Sequence, residues 1–360
     1  QFTARFLGCA GDSLRDAPLD CRQGDIFLGL DLQPHVVGRQ GGTYDAMRRA
    51  GIGLYFVVYD LLPLSMPRFF APDAAKVHAR WLSTVARFAD GLICISRSVA
   101  DEVIAWLDAE RVPRARALRV GWVHQGADIR PETAAEAAPA REIGLPDSTA
   151  ARPGFLMVGT IEPRKGHEQV LSAFEILWAK GVDVGLMIVG RRGWMVEQFV
   201  QRLGAHPERG RRLTWLEDAD DEALEALYAR SSCLLAASEG EGFGLPLIEA
   251  ARHGLPILAR DLPVFREVAG RHARYFRAVT ALDLAGALEG WLGSFAAGRH
   301  ERSDGMPWLS WVDSAERLVK LLLGDGWYAS WAPVAFPPPA PAARHGVEDE
   351  LTGLNSEARS

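Results

Sequence analysis

Glu241 and Glu249 stand with seven residues between them in the segment 238–256, SEGEGFGLPLIEAARHGLP, with Gly242, Phe243 and Gly244 directly after the first of them. The segment follows an apolar run, 233–237, that reads as a strand. Pro246 suits the first turn of a helix, where its missing N–H is no loss, and Gly254 with Pro256 suits its end. In a strand, glycine loop and helix unit of this kind, the backbone N–H groups of Gly242, Phe243 and Gly244, with Leu245 at the helix start, gather at the carboxyl end of a strand. That is a favourable place for a phosphate. Two carboxylates bordering such a site suit a ligand with phosphate in its middle and hydroxyl-rich groups at its ends. For either glutamate alone the plainer reading is a solvated loop acid at 241 and a favourable acid near a helix N-terminus at 249.

A second constellation is VGTIEPRKGH, 158–167, with Gly159 as its second residue. Arg164 and Lys165 stand just beyond a strand and just before a helix, where two cations could clamp a diphosphate. The alternative is a basic turn that only solubilises the loop. Tyr59 and Asp60 end the apolar run GLYFVVYD, and Ser96 and Arg97 follow the run 91–95, so all four could face a cleft. Ser96 or Ser98 could equally be the N-cap of a helix starting near Val99. His124, His167 and His253 are conceivable bases, but a lone histidine at a helix end is more often a cap or a satisfied core residue.

The elements that must position these groups alternate along the chain. In the first half the pattern predicts a buried strand from Asp25 (IFLGLDL), a helix over 44–50, a strand over 53–60 and a helix over 73–89. The apolar face of that helix is Val77, Trp81, Val85 and Phe88. A strand over 91–95, a helix over 99–108 and a strand over 118–123 follow. Continuous apolar runs of strand length mark parallel strands covered on both faces, so the rhythm means a doubly wound α/β sheet. The rhythm restarts with strands over 154–160, 184–190, 212–216, 232–236 and 256–259, with a helix between each of these and the next, and then a short strand near 274–276. The predicted organisation is a first domain over 1–128, a linker rich in Ala, Pro and Glu over 129–153, and a second domain over 154–305. Helices over 306–335 then pack back toward the first domain, and a tail over 336–360 is too poor in apolar residues to bury.

With 360 residues, the chain suits two domains of about 100–200 residues each. Its 48% hydrophobic and 24% charged residues are ordinary for a globular protein, and a net charge of -6 gives no basis for nucleic-acid binding. No apolar run approaches the roughly 20 residues of a membrane helix. Cys9, Cys21, Cys94 and Cys233 lack metal-site spacing. Cys94 and Cys233 lie in strand patterns and read as buried reduced thiols of a cytosolic protein.

The run EGFGLPLIE is similar to the E-x7-E signature of retaining glycosyltransferases with the GT-B fold, family 4 in particular. VGTIEPRKGH resembles the same family's G-x-x-x-x-R-K-G segment. The resemblance extends over most of 154–280, including VGRRGW and ARDLPVFREVAG. More loosely, VVYDLLPL and DGLICISRSVADEV resemble the acceptor-side domain of bacterial members that build O-antigen and related polysaccharides, many of them mannosyltransferases. It implies two Rossmann-like domains facing a cleft. Glu241 would engage the hydroxyls of the donor sugar, Glu249 the nucleotide ribose, and Arg164 and Lys165 the diphosphate. It further implies transfer with retention from a nucleoside-diphosphate sugar, GDP-mannose favoured, to a glycan or lipid-linked glycan. Neither a metal nor another cofactor is required, and no D-x-D pattern stands in a suitable loop. The expected location is cytoplasmic, with peripheral contact at the inner membrane face as a family analogy; the oligomeric state is open.

Two departures stand out. Tyr59 lies where many relatives have His. The Gly-rich loop that usually follows an opening strand has no good counterpart, GRQGG (38–42) being a poor substitute, so the first domain is expected to be short or truncated. Two other classes therefore stay open: a chain that holds a nucleotide sugar without turnover, and a sugar-nucleotide epimerase or a phosphorylase of the same architecture. A nicotinamide dehydrogenase does not fit, because no G-x-G-x-x-G follows the first strand of either half.

Overall fold

A computed structural model describes residues 20–114, 116–128 and 152–332. The predicted tail, and the predicted linker except Arg152 and Pro153, lie outside the described residues. The first half runs β1 (Ile26–Gly29), α1 (Pro34–Val37), α2 (Gly41–Arg49), β2 (Gly53–Val58), α3 (Leu62–Ser65), α4 (Ala74–Phe88), β3 (Gly91–Cys94), α5 (Arg97–Glu110) and β4 (Leu118–Trp122). The second runs β5 (Gly154–Val158), α6 (His167–Ala179), β6 (Gly185–Val189), α7 (Glu197–Gly204), β7 (Leu213–Leu216), α8 (Asp221–Arg230), β8 (Cys233–Ala236), α9 (Leu245–Arg252), β9 (Ile257–Arg260), α10 (Pro263–Ala269), β10 (Arg274–Phe276) and α11 (Ala281–Ala296). The helix α12 (Trp311–Leu323) and the strand β11 (Ala329–Trp331) follow.

Each half builds one sheet. In the first the order is β1-β2-β3-β4-β11, and in the second β10-β9-β8-β5-β6-β7. All pairings are parallel except β11 with β4. Buried runs such as Leu54–Val58 are what helices on both faces of a parallel sheet require. In the second half α6 and α11 cover one face, where Phe155 meets Phe174 edge-on and Trp291 at 5.0 Å between centroids. Side chains of this size each contribute about 1.5–3 kcal/mol by leaving water.

The predicted elements recur with ends shifted by up to three residues, the short helices α1 and α3 stand in segments where none was predicted, and three further points differ. The opening strand is not buried as expected: it is an edge of the first sheet, only four residues long, with Ile26 and Leu30 exposed. Its last residue, Gly29, lies against the Phe56 ring, where a Cβ would come within 2.6 Å of Cδ1. Helix α10 lies in the run ARDLPVFREVAG, too short to show a period. The stretch GDGWYASWAP holds β11, which completes the first sheet; Trp331 Nε1 donates to Asp108 Oδ1 at 2.7 Å. From α12, Leu321 buries against Tyr55 and Ile93 of that sheet. Among the described residues no helix is long and apolar enough to cross a membrane. Cys94 and Cys233 are buried free thiols, and Cys21 is exposed.

Candidate active site

In the second sheet the chain leaves β5 toward β6 on one side, while β8 lies on the other. This is the topological switch point of an open α/β sheet, where the loops at the strand ends diverge and leave a crevice. The loop after β5 carries Arg164 and Lys165, on a 3₁₀ turn, and the loop after β8 carries Glu241. Gly166 (φ +75°) lets the two loops touch: a Cβ there would lie 2.5 Å from the Ala237 carbonyl oxygen. Glu239 N donates to Arg164 O at 2.7 Å across the same seam.

Motifs far apart in sequence therefore form one charged cluster. Lys165 Nζ lies 2.5 Å from Glu241 Oε1, and Arg164 Nη1 lies 3.1 Å from Oε2. Ser238 Oγ donates to Oε1 at 2.7 Å, and Arg164 Nη1 also donates to Gly240 O at 2.9 Å. Arg164 Nε pairs with Glu162 Oε2 at 2.9 Å. The four charged side chains are only 8–16% exposed. Burial alone would push the Glu241 carboxyl up, but the Lys165 ammonium and the Arg164 guanidinium outweigh it and hold it below the usual glutamate range. Glu162 goes the other way, because burial outweighs its cations. Glu241 is thus an ionised carboxylate with both oxygens engaged, suited to accepting hydrogen bonds and poorly suited to attacking a carbon.

The glycine loop serves more than one purpose. Among the described residues the amides of Gly242, Phe243 and Gly244 donate to no acceptor, as an anion site needs. Gly244 (φ +108°) opens α9. The Phe243 ring is buried against His124, 5.2 Å between centroids, so only its backbone could meet a ligand. At Gly242 a Cβ would lie 2.2 Å from Tyr59 O, so this glycine lets the two halves close on each other. Leu245 begins the helix and lies half-buried. Further along, Glu249 Oε2 accepts from Tyr228 Oη at 2.5 Å, and burial pushes its carboxyl up. Gly159 (φ +137°) lies below Lys165, 3.6 Å from its Nζ by a Cβ placed there. A cavity opens among Lys165, His167, Ser238, Glu241, Gly244 and Phe265. Another, lined by Arg152, Arg212 and Arg230, lies at the amino ends of β5 and β6, away from these groups.

The first sheet supplies the opposite wall. Asp60 is close enough to Arg164 and Glu241 to feel both, its carboxyl raised by burial and lowered by the Leu62 amide, by His78 and by Arg164. The Tyr59 hydroxyl donates to Leu30 O at 2.7 Å, and the side chain packs against the cluster that holds Phe243 and Leu247 of the second half. Ser96 is the N-cap of α5, accepting from Val99 N at 3.1 Å, and its Oγ also donates to Gly242 O at 2.8 Å across the cleft. Ser96 is thus a helix cap that is fully buried where the two halves touch. The Arg97 side chain is exposed beside Asp101, but its amide donates to Glu267 Oε1 at 2.7 Å. Glu267, on α10, also accepts from Ser98 N, Ser98 Oγ and His124 Nε2 at 2.7–2.8 Å. Burial raises its carboxyl, but these bonds prevail and hold it at about 2. His167 is buried and pushed down to about 3 by burial and by Lys165, hence neutral. His253 pairs with Glu225 and stacks on Tyr228.

Sequence reasoning missed Ser238, Glu162, Tyr228 and Glu267. The first two stand within three residues of the groups they hold, which was a usable signal. Tyr228 and Glu267 lie on other helices and carried none. Among the described residues no group of three or more His, Cys, Asp or Glu side chains is arranged to hold a metal.

Residues 147–292 match the family described as "Glycosyl transferases group 1". Over 314 residues the chain is 43% identical to the serotype-specific mannosyltransferase WbdA of Escherichia coli, covering 87% of this chain and 38% of that protein. It thus spans well under half of that relative's length. O-antigen chain mannosyltransferase B of Escherichia coli is 34% identical over 119 residues, 32% of this chain and 30% of that one. Among solved structures, Anabaena HepE in complex with UDP and glucose superposes with a TM-score of 0.60 at 16% identity, over 82% of this chain and 77% of that one. Sucrose-phosphate synthase from Thermosynechococcus elongatus gives 0.59 at 20%, over 82% and 72%. Two Rossmann-like halves thus close over a crevice formed by both motif loops, the fold is the GT-B fold of these solved structures, residues 147–292 match the group 1 glycosyl transferases, and the chain is similar to bacterial O-antigen mannosyltransferases.

Proposed function

We propose that the chain is a retaining, metal-independent glycosyltransferase of family 4. It would move a hexose, mannose by analogy with its relatives, from a nucleoside-diphosphate sugar to a glycan or lipid-linked glycan acceptor. The observation that carries this reading is the cluster of Arg164, Lys165 and Glu241 at the switch point, beside loop amides without acceptors. Two cations and three amides are the donors that a diphosphate needs as negative charge develops on its leaving oxygen, so no metal is required for that task. Glu241 then positions hydroxyls of the sugar, and Glu249, held by Tyr228, those of the ribose. In a same-face reaction the bond from the anomeric carbon to the leaving phosphate oxygen breaks as the acceptor oxygen bonds to that carbon. The acceptor proton passes to the departing phosphate. Asp60, Ser96 and Gly242 belong to the closure that excludes water and suppresses donor hydrolysis. GDP-mannose is the favoured donor: the relatives are named mannosyltransferases, and the guanine base rests on the family resemblance alone. The proposed domains are those predicted, with the second carrying the donor, and the proposed location is the cytoplasm, peripheral to the inner membrane.

Calorimetry with GDP on the double variant Arg164→Ala, Lys165→Ala tests the donor half of this reading. Binding should weaken by about 2–5 kcal/mol if both cations meet the diphosphate. Unaltered binding would place the diphosphate elsewhere. Conversion of GDP-mannose without any acceptor would identify an epimerase instead.

A further inference from the structure

The sequence segment VGRRGW ends in a residue that the proposed chemistry does not use. Trp194 leaves the second half on the loop after β6 and reaches the first half, where its Nε1 donates to Phe69 O at 2.8 Å. Its ring lies 5.9 Å from that of Phe70 at 33°. The loop is tied to the Arg164 loop: Ile161 N donates to Arg191 O at 2.8 Å and Gly193 N to Ile161 O at 2.9 Å. A Cβ on Gly193 would come within 3.0 Å of Glu162 Cγ, so Trp194 is held one residue from the ion pair that sets Arg164. The next residue, Met195, has φ +56°, a strained conformation for a side chain without a local hydrogen-bonding group. Despite these ties Trp194 is 39% exposed, so much of a large apolar ring faces solvent at the cleft rim. Beside it Arg68 lies over the Phe69 ring at 4.3 Å and pairs with Glu239 at 2.9 Å, both side chains open to solvent.

A flat aromatic face bordered by an arginine and a glutamate is what a pyranose requires, since its C–H face is apolar and its rim carries hydroxyls. We infer that Trp194 and Phe70, with Arg68 and Glu239, form a subsite for a sugar ring of the glycan acceptor, built from both halves of the molecule. The acceptor identity rests on the glycosyltransferase reading; the subsite itself rests on the geometry. Closure completes the subsite, so acceptor binding and closure favour one another.

The test is a calorimetric titration of α-linked mannotriose into the full chain, with and without GDP. Trp194→Ala should weaken mannotriose binding by about tenfold, the upper end of what aromatic stacking supplies, and Trp194→Phe by about threefold or less, with GDP affinity unchanged in both. Phe70→Ala should also weaken it. Absence of mannotriose binding to the unaltered chain, or equal affinity in Trp194→Ala, overturns the inference. Parallel loss of GDP affinity also overturns it, because the bridge would then only set the closure. The transferase reading fails separately, if GDP is not released from GDP-mannose when mannotriose is supplied, and the affinity contrast stands apart from that result.

Discussion

Replacing Glu241 by Gln removes one negative charge from a cluster that holds two cations and changes the volume little. The carboxylate accepts from Lys165 at 2.5 Å, from Arg164 at 3.1 Å and from Ser238 at 2.7 Å, with its side chain 12% exposed. Breaking a buried pair by removing one partner costs about 3–5 kcal/mol, because the other charge is left uncompensated. Arg164 keeps Glu162, and the amide oxygen of Gln can still accept from one cation, so the lower end applies, about 3 kcal/mol. At about 2–4 °C per kcal/mol for an unfolding unit the size of the second half, its melting temperature should fall by roughly 6–12 °C. The folded carboxyl lies below its ordinary range, so its contribution is present above the unfolded value of about 4.3 and is lost as pH falls through the folded one. The gap between wild type and variant should therefore be full at pH 7 and close on acidification below about 4. Adding GDP supplies anionic oxygens to the two cations released from Glu241, so GDP should stabilise the variant at least as much as the wild type, while transfer is lost. Thermal shift at pH 7 and pH 4, with and without GDP, together with a radiolabelled transfer assay, reads all of this. Wild-type melting with undiminished transfer would refute both the energetics and the positioning role.

Two further outcomes follow from contacts between the halves. Gly242→Ala places a methyl 2.2 Å from Tyr59 O, so the halves must part or the loop must shift; it should cost about 1–3 kcal/mol and reduce transfer, with an unchanged melting temperature and rate as the contrary result. Glu267 is held at about 2 against about 4.3 when unfolded, a depressed carboxyl that contributes roughly 3 kcal/mol above pH 4 and loses it as pH falls toward 2. Glu267→Ala should erase that part of the acid dependence in urea unfolding and raise the radius of gyration in X-ray scattering. An unaltered scattering curve would mean that Glu267 does not hold the halves together.

Much of the fold was legible because its signals are local. Continuous apolar runs such as 53–58 and 185–189 are strands wherever they are placed, and glycines at 159, 166 and 244 with Pro246 mark where chains turn and helices begin. The opening strand was overrated because IFLGLDL resembles a covered strand, whereas its place at a sheet edge depends on pairing order. Helices α1, α3 and α10 and the strand β11 were missed because three to seven residues are too few for a period.

What the sequence determined by itself was the chemistry on offer at the switch point: the arginine and lysine after one strand, the glutamates and glycines after another, and two α/β halves to hold them. The tertiary structure alone decided which groups meet. Lys165 and Glu241, 76 positions apart, pair because β5 and β8 are neighbours in the sheet. Ser96 and Glu267 reach across the cleft, the Tyr59 hydroxyl is taken up by Leu30 O, and Trp194 meets Phe70 at the cleft rim. Apolar periodicity and turn residues are properties of a few neighbouring positions, whereas these contacts depend on strand order and on how the two halves close.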